Sequence, residues 1–389
     1  MNDHQQPSML PLRATLVVVT LAGAAIGALG WWLRAANWWE SYLIAWLYWI
    51  SFPLGAISLL LLHMLTGGAW GDALRPACRA ALATLPLMAV LFVPLAMNLE
   101  ALYPWADPEK VAHSELLQHK QPYLNETAFI ARTVGYFAVW LALWALVAWQ
   151  SRHPLPSSSP AARRVRKLAG IGLGLHALAV TFSAIDWGMS LEPDWYSAIY
   201  GLLFLISQAL AALAGGIAIS VLAPQVGTRY GTRSVATTMP APDVLHDLGK
   251  LLLAFVMIWA YFQYSQFLII WYGNLPEEVP WYLKRIENGW LPVALAMGGL
   301  QFALPFFLLL SRDLKRHGTL LAWVALGVVF SRWLEVWWLV APADGQPIRV
   351  PWLELALTAA IGGLWLLAFF FRFPTLQREA MTSVNGDRS

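Results

Sequence analysis

Ten stretches of this chain are apolar over the length that crosses a bilayer, and short polar segments separate them. A hydrocarbon core about 30 Å thick takes roughly 20 helical residues, and only a helix satisfies its own backbone there. The runs lie at about 12–33, 42–65, 77–98, 127–150, 167–188, 196–223, 244–273, 289–311, 318–340 and 350–372. The first is longer than a signal-peptide h-region, and no small-x-small cleavage site precedes a soluble segment. It therefore reads as a retained span. Its Gly23 and Gly27 have the spacing that lets helices approach closely. The pattern predicts an all-α polytopic membrane protein over residues 1–376, with a tail at 377–389. Spans two to five (about 42–188) and six to nine (about 196–340) could each make a four-helix bundle, although no internal repeat marks the division.

Composition agrees. The chain is 389 residues long, 59% hydrophobic and 12% charged, against about 25% charged in a soluble domain. The single cysteine, Cys78, excludes a disulfide within the chain, an all-cysteine iron–sulfur site and a C-x-x-C-H haem attachment. The net charge is +3, and its basic residues sit in short loops, which gives nucleic acid no continuous patch. With the N-terminus placed in the cytoplasm, 17 of the 25 Lys and Arg fall on the cytoplasmic side. The positive-inside rule thus puts both termini there. The strongest vote is Arg163-Arg164-Val-Arg166-Lys167. It reads as a topology anchor, with lipid headgroup binding as the lesser alternative.

The longest outer loop, about 99–126, holds Pro104, Asp107, Pro108, Glu109, His113, His119 and Lys120. Val111 to His119 predicts one short surface helix. The loop is either a docking face for a partner or a solvated connection. His113 and His119, six apart, share no helical face, so no metal site is expected. In a second outer loop, Gly273–Tyr282, Trp281 and Tyr282 read as members of an interfacial aromatic belt.

Ionisable residues inside the apolar runs carry the candidate chemistry, because a charge in hydrocarbon is expensive unless it is paired or functional. Asp186 opens an acidic turn with Glu192 and Asp194 while still within helical reach of the bilayer. The alternative is an interfacial acid in headgroup water. His63 lies near the inner end of span two and His176 at the middle of span five. His246, Asp247 and Lys250 open span seven, with Asp247 and His246 spaced to lie beside Lys250. Tyr261, Gln263, Tyr264, Ser265 and Gln266 make the middle of span seven polar. Arg332 and Glu335 are three apart in span nine, and Glu354 enters span ten. Either these groups form half-channels and a hydroquinone pocket, which needs a proton acceptor and an apolar slot, or the pairs fasten helices. His176 reads as a hydrogen-bonded core histidine. His63 and His246 match in depth only at the inner edge and His176 has no partner, so a two-histidine haem is not expected.

Four separated stretches carry a resemblance: Asp186-Trp-Gly-Met-Ser-Leu-Glu192-Pro193 with Trp195-Tyr196 and Tyr200-Gly201; Ser265-Gln266 through Trp271-Tyr272-Gly273-Asn274 to Pro276-Glu277-Glu278 and Pro280-Trp281-Tyr282; Leu65-Thr66-Gly67-Gly68 with Trp70-Gly71; and His119-Lys120 with Tyr123-Leu124-Asn125. Together they resemble the ActF-type subunits of alternative complex III, a bacterial quinol:cytochrome c oxidoreductase, within the NrfD/PsrC-like membrane family. The resemblance runs from about residue 10 to 375. It implies ten helices in two four-helix bundles plus two peripheral helices, and no redox cofactor bound by this chain. Menaquinol or ubiquinol would serve the complex. The partners implied are an iron–sulfur subunit, multihaem and monohaem cytochrome c subunits, and a second NrfD-like subunit of the ActC type that is the better candidate for the main quinol site; the chain itself would sit in membrane lipid, in a bacterial inner membrane. ActF-type chains are proposed to contribute a proton path and are often called quinone-binding by analogy. By that resemblance Asp186 and the Arg332/Glu335 pair belong to an outer polar path. Glu335 stands where the family pattern has an aspartate, which keeps the carboxylate and changes its reach. His63, with His246 and Asp247, would form the inner side, and Tyr264 and Gln266 would face the quinone or the path. A structural anchor that conducts nothing, and a stand-alone transporter with its substrate site in span seven, are the competing expectations.

Overall fold

The computed structural model describes residues 10–153, 159–229 and 239–386. Arg233, Arg388 and the last three residues of the expected tail lie outside them. Ten helices among the described residues are long and apolar enough to cross a membrane: α1 (Leu12–Trp32), α2 (Trp38–Thr66), α3 (Ala69–Ala96), α4 (Glu126–Arg152), α5 (Pro160–Leu191), α6 (Tyr200–Pro224), α7 (Pro242–Gly273), α8 (Leu291–Leu310), α9 (Gly318–Asp344) and α10 (Trp352–Leu376). No strand occurs among the described residues. The all-α polytopic expectation holds. Segment 377–386 continues the last helix instead of leaving it as a separate tail. An even number of spans returns α10 to the side from which α1 starts. The opposite side is called the far side below.

Helices α2–α5 pack together, α6–α9 pack together, and the two groups meet along α2 and α6. α2 is buried over most of its length and α1 over little. That difference follows from place: α2 is surrounded on all sides, whereas α1 touches mainly α10. Glycines set both close approaches. A Cβ at Gly55 would lie 1.9 Å from the Gln208 carbonyl oxygen, so α2 and α6 meet backbone to backbone at the seam between bundles. A Cβ at Gly23 would lie 2.5 Å from the Ala356 carbonyl oxygen, which makes the Gly23/Gly27 stripe the contact with α10.

The far-side loop between α3 and α4 corrects one expectation. Instead of one helix over Val111–His119 it forms two, Pro108–Ala112 and Glu115–Lys120. The Ser114 hydroxyl accepts from the Leu117 amide at 3.3 Å and starts the second helix, while Asp107 accepts from the Glu109 amide at 3.0 Å and starts the first. Such side-chain caps satisfy orphan amides and fix a helix start. Lys120 then donates to the Pro193 carbonyl at 2.5 Å, and Tyr103 donates to the Trp187 carbonyl at 3.1 Å. The loop is thereby tied over the end of α5.

Candidate functional site

Asp186 lies in the last turns of α5 with its side chain fully buried. α4 supplies its partners from one face. Arg132 Nε donates to Oδ2 at 2.9 Å and its terminal nitrogen donates to Oδ1 at 3.0 Å. Tyr136, one helical turn on, donates to Oδ2 at 2.7 Å. Arg132 also donates to the Tyr123 carbonyl and stacks 3.8 Å above the Tyr123 ring. Burial, and then the Asp186 charge, push the Tyr123 phenol up to about 12. The result is a planar two-point ion pair, the strongest ordinary hydrogen-bonded pairing. Asp186 is not an acid in headgroup water.

The second centre is built around Glu335 on α9. Arg332, one turn earlier, donates to Oε2 at 2.8 Å. Gln301 of α8 donates to the same oxygen at 3.2 Å. Oε1 accepts from Ser207 of α6 at 2.7 Å, Trp259 of α7 at 2.9 Å and Gln263 of α7 at 3.2 Å. Five donors from four helices thus converge on one buried carboxylate, a pattern that suits a group that only accepts. Arg332 turns its other nitrogens to Ser51 of α2, at 3.2 and 3.3 Å, and so reaches across the seam between bundles. Gln301 stands in a π-helical turn, Gly299–Ala303. Pro305 explains it: proline has no N–H for the carbonyl four residues back, and its ring crowds that carbonyl, which belongs to Gln301. Such turns recur at functional sites. Gln301 Oε1 and the Ser331 hydroxyl are buried with no hydrogen-bond partner among the described residues.

The other expected residues separate. Gln266 is buried and accepts from Ser197, next to the acidic turn. Tyr264 does not join the Glu335 centre. It is 63% exposed on the outside of α7, because Gln263 faces inward and the next residue turns about 100° around the helix. Asp247 pairs with Lys250 at 3.1 Å on an exposed face, whereas His246 forms no bond to Lys250 and keeps a buried, unpartnered Nδ1. His63 contacts the Gly68 carbonyl at 3.1 Å and lies 3.8 Å from Asp72. It lines a polar cavity of about 340 Å³ with Asp72, Arg75, Gln150 and Arg166 at the side of the chain ends. His176 is a core histidine, its Nε2 2.9 Å from the Ser58 hydroxyl. Trp140 and Trp187 pack against each other beside Tyr136, so aromatic rings lie where the first bundle leads inward from Asp186.

Sequence reasoning passed over Arg132, Tyr136, Ser207, Trp259 and Gln301. Arg132 had a usable signal: it is a lone cation a few residues inside an apolar run, which requires an acid nearby in space. Trp281 was also misplaced. It is buried in protein, stacked on Trp195 at 4.6 Å, and Arg285 lies 3.5 Å above it. Arg285 in turn pairs with Glu192 at 2.8 Å and Lys284 with the same carboxylate at 3.3 Å. Burial pulls the Arg285 guanidinium below its usual range, and Glu192 opposes that shift.

These features define an all-α, multi-pass membrane protein with a buried, paired carboxylate in each helix bundle. Comparison with protein-family models and with curated proteins returns no match.

Proposed function

We propose that this chain is an integral membrane subunit of a respiratory quinol:cytochrome c oxidoreductase of the alternative complex III type, contributing a quinone-facing or proton-conducting helix bundle. The carrying observation is the Glu335 centre, where a membrane-buried carboxylate meets donors from four helices, with Gln301 Oε1 and the Ser331 hydroxyl buried nearby without a hydrogen-bond partner among the described residues. The Gln301 oxygen accepts and the Ser331 hydroxyl both accepts and donates, so a hydroxyl group, of water or of a hydroquinone, would engage them. The four sequence motifs quoted above support the family, and three of those stretches meet in space: Gln266 contacts Ser197, which follows Tyr196, and Lys120 contacts Pro193. Electron transfer would be the work of iron–sulfur and cytochrome c partners, with menaquinol or ubiquinol as donor and an ActC-type subunit as the main quinol site.

The test is purification of the tagged chain in mild detergent from its own membranes, read by mass spectrometry and an absorption spectrum. Co-elution of an iron–sulfur protein, a multihaem cytochrome c and a second ten-helix subunit is expected. A colourless chain eluting alone, from membranes whose other respiratory complexes survive, overturns the reading.

A second reading keeps the complex and removes conduction. It is favoured by Asp186, whose two oxygens are already taken by Arg132 and Tyr136. Asp186→Asn alone strands a guanidinium, so it is paired with the double variant Arg132→Gln/Asp186→Asn. A path role predicts that both lose quinol oxidation or proton release. An anchor role predicts that the double variant regains assembly and full activity.

A further inference from the structure

Eight Lys and Arg residues lie on the far side or in its half of the helices, and seven have evident partners. Lys110 meets Asp107, Arg132 meets Asp186, Lys284 and Arg285 meet Glu192, Arg332 meets Glu335, and Arg349 meets Glu40 and Asp344. Lys120 donates to the Pro193 carbonyl. Arg34, in the turn between α1 and α2, has no carboxylate partner among the described residues. The acid nearest in sequence, Glu40, is committed to Arg349 at 2.8 Å.

The surroundings of Arg34 are specific. Its φ is 55°, in the left-handed region that favours glycine over a residue with a side chain. Trp31, Trp32, Trp38 and Trp39 line, with Arg34 and Ala35, an open cavity of about 610 Å³. Three of the four indoles are held in place, while Trp32 is exposed. Trp38 donates to the Gly27 carbonyl at 2.8 Å. Trp31, Trp38 and Trp39 meet edge to face, with centroids 5.1, 5.6 and 4.7 Å apart. The corner joins the ends of two spans, so it stands at headgroup depth. α1 is exposed along most of its length, so the corner also stands at the boundary with lipid.

We propose that this corner binds the phosphodiester head of a membrane phospholipid. The guanidinium offers two parallel N–H donors to the non-bridging phosphate oxygens. The tryptophans, at the depth where indoles prefer to lie, cover the glycerol and the first methylenes of the tails. Charge decides for a phosphate-bearing lipid: a cation without a carboxylate partner among the described residues, sharing one open cavity with four indoles, suits a compact anion with an apolar body. A protein partner would cover roughly 800 Å² per side, much more than one cation in one ring of indoles. The site is independent of the oxidoreductase reading.

The test is native mass spectrometry of the tagged full chain released from mixed micelles containing either dioleoyl phosphatidylglycerol or dioleoylglycerol, which has the same tails and no phosphate. The wild type is expected to hold one phosphatidylglycerol at least tenfold more tightly than Arg34→Gln does, with Arg34→Lys between them. Arg34→Gly provides the folding control. Glycine relieves the left-handed backbone, so this variant is expected to melt no lower than the wild type and still lose the lipid. Equal phosphatidylglycerol retention by wild type and Arg34→Gln overturns the proposal. Equal retention of dioleoylglycerol and phosphatidylglycerol by the wild type also overturns it, leaving only an aromatic belt.

Discussion

At the scale of single residues, the buried charges are legible only as pairs. Removing one partner of a buried ion pair leaves the other uncompensated, and typically costs about 3–5 kcal/mol. Glu335→Gln is therefore expected to lower thermal stability in detergent by that order. The double variant Arg332→Met/Glu335→Gln should recover a large part of the loss, since it removes both charges. Tryptophan fluorescence or differential scanning calorimetry of the purified chain reads both. If Glu335→Gln melts with the wild type, the pairing at 2.8 Å contributes little and the centre is held by its neutral donors. The sequence exposed part of this arrangement. Arg332 and Glu335, three apart on one helix, were readable as a pair because helix geometry fixes their distance. Arg132 and Asp186 were not, because 54 residues and a change of helix separate them.

At the scale of elements, glycine positions decide which helices can touch. Gly23→Leu places a branched side chain where α10 backbone already stands. It is expected to release α1 while the rest of the fold persists, because α1 packs mainly on α10. Cross-linking between cysteines placed on α1 and α10, in a Cys78→Ser background, should fall while the melting transition of the remaining helices stays. Gly55→Leu acts on the α2–α6 seam and should abolish the folded protein, measured as loss of monodisperse material after extraction. An intact, monodisperse Gly55→Leu protein would contradict backbone contact at that seam. Most element boundaries followed hydropathy within a few residues, but α3 (Ala69–Ala96) and α5 (Pro160–Leu191) start well before their apolar runs at about 77 and 167, and hydropathy gave no sign of the π-helical turn in α8. That turn comes from Pro305, whose missing N–H and ring disturb the bond to the Gln301 carbonyl.

At the scale of the whole molecule, ten apolar helices make a multi-pass membrane protein, and the distribution of basic residues predicts its orientation. Single cysteines at Gln118 or Asn274, in the Cys78→Ser background, should react with a membrane-impermeant maleimide in whole cells. Cysteines at Arg163 or Asp313 should react only after the membrane is opened. The reverse pattern would invert the topology and move the Asp186 and Glu335 centres to the cytoplasmic half.

Fold class and the ten apolar runs could be read from the order of residues alone. Those properties depend on hydrophobic run length and charge, which are local along the chain. Tertiary structure alone decided which groups meet. It joined Arg132 to Asp186, brought Ser207, Trp259, Gln263 and Gln301 onto Glu335, turned Tyr264 outward and buried Trp281 under Arg285. The physical reason is that a helix fixes direction only within itself. Which faces of different helices oppose each other is set by packing, here by glycine contacts at Gly23 and Gly55 and by the need of every buried charge for a partner.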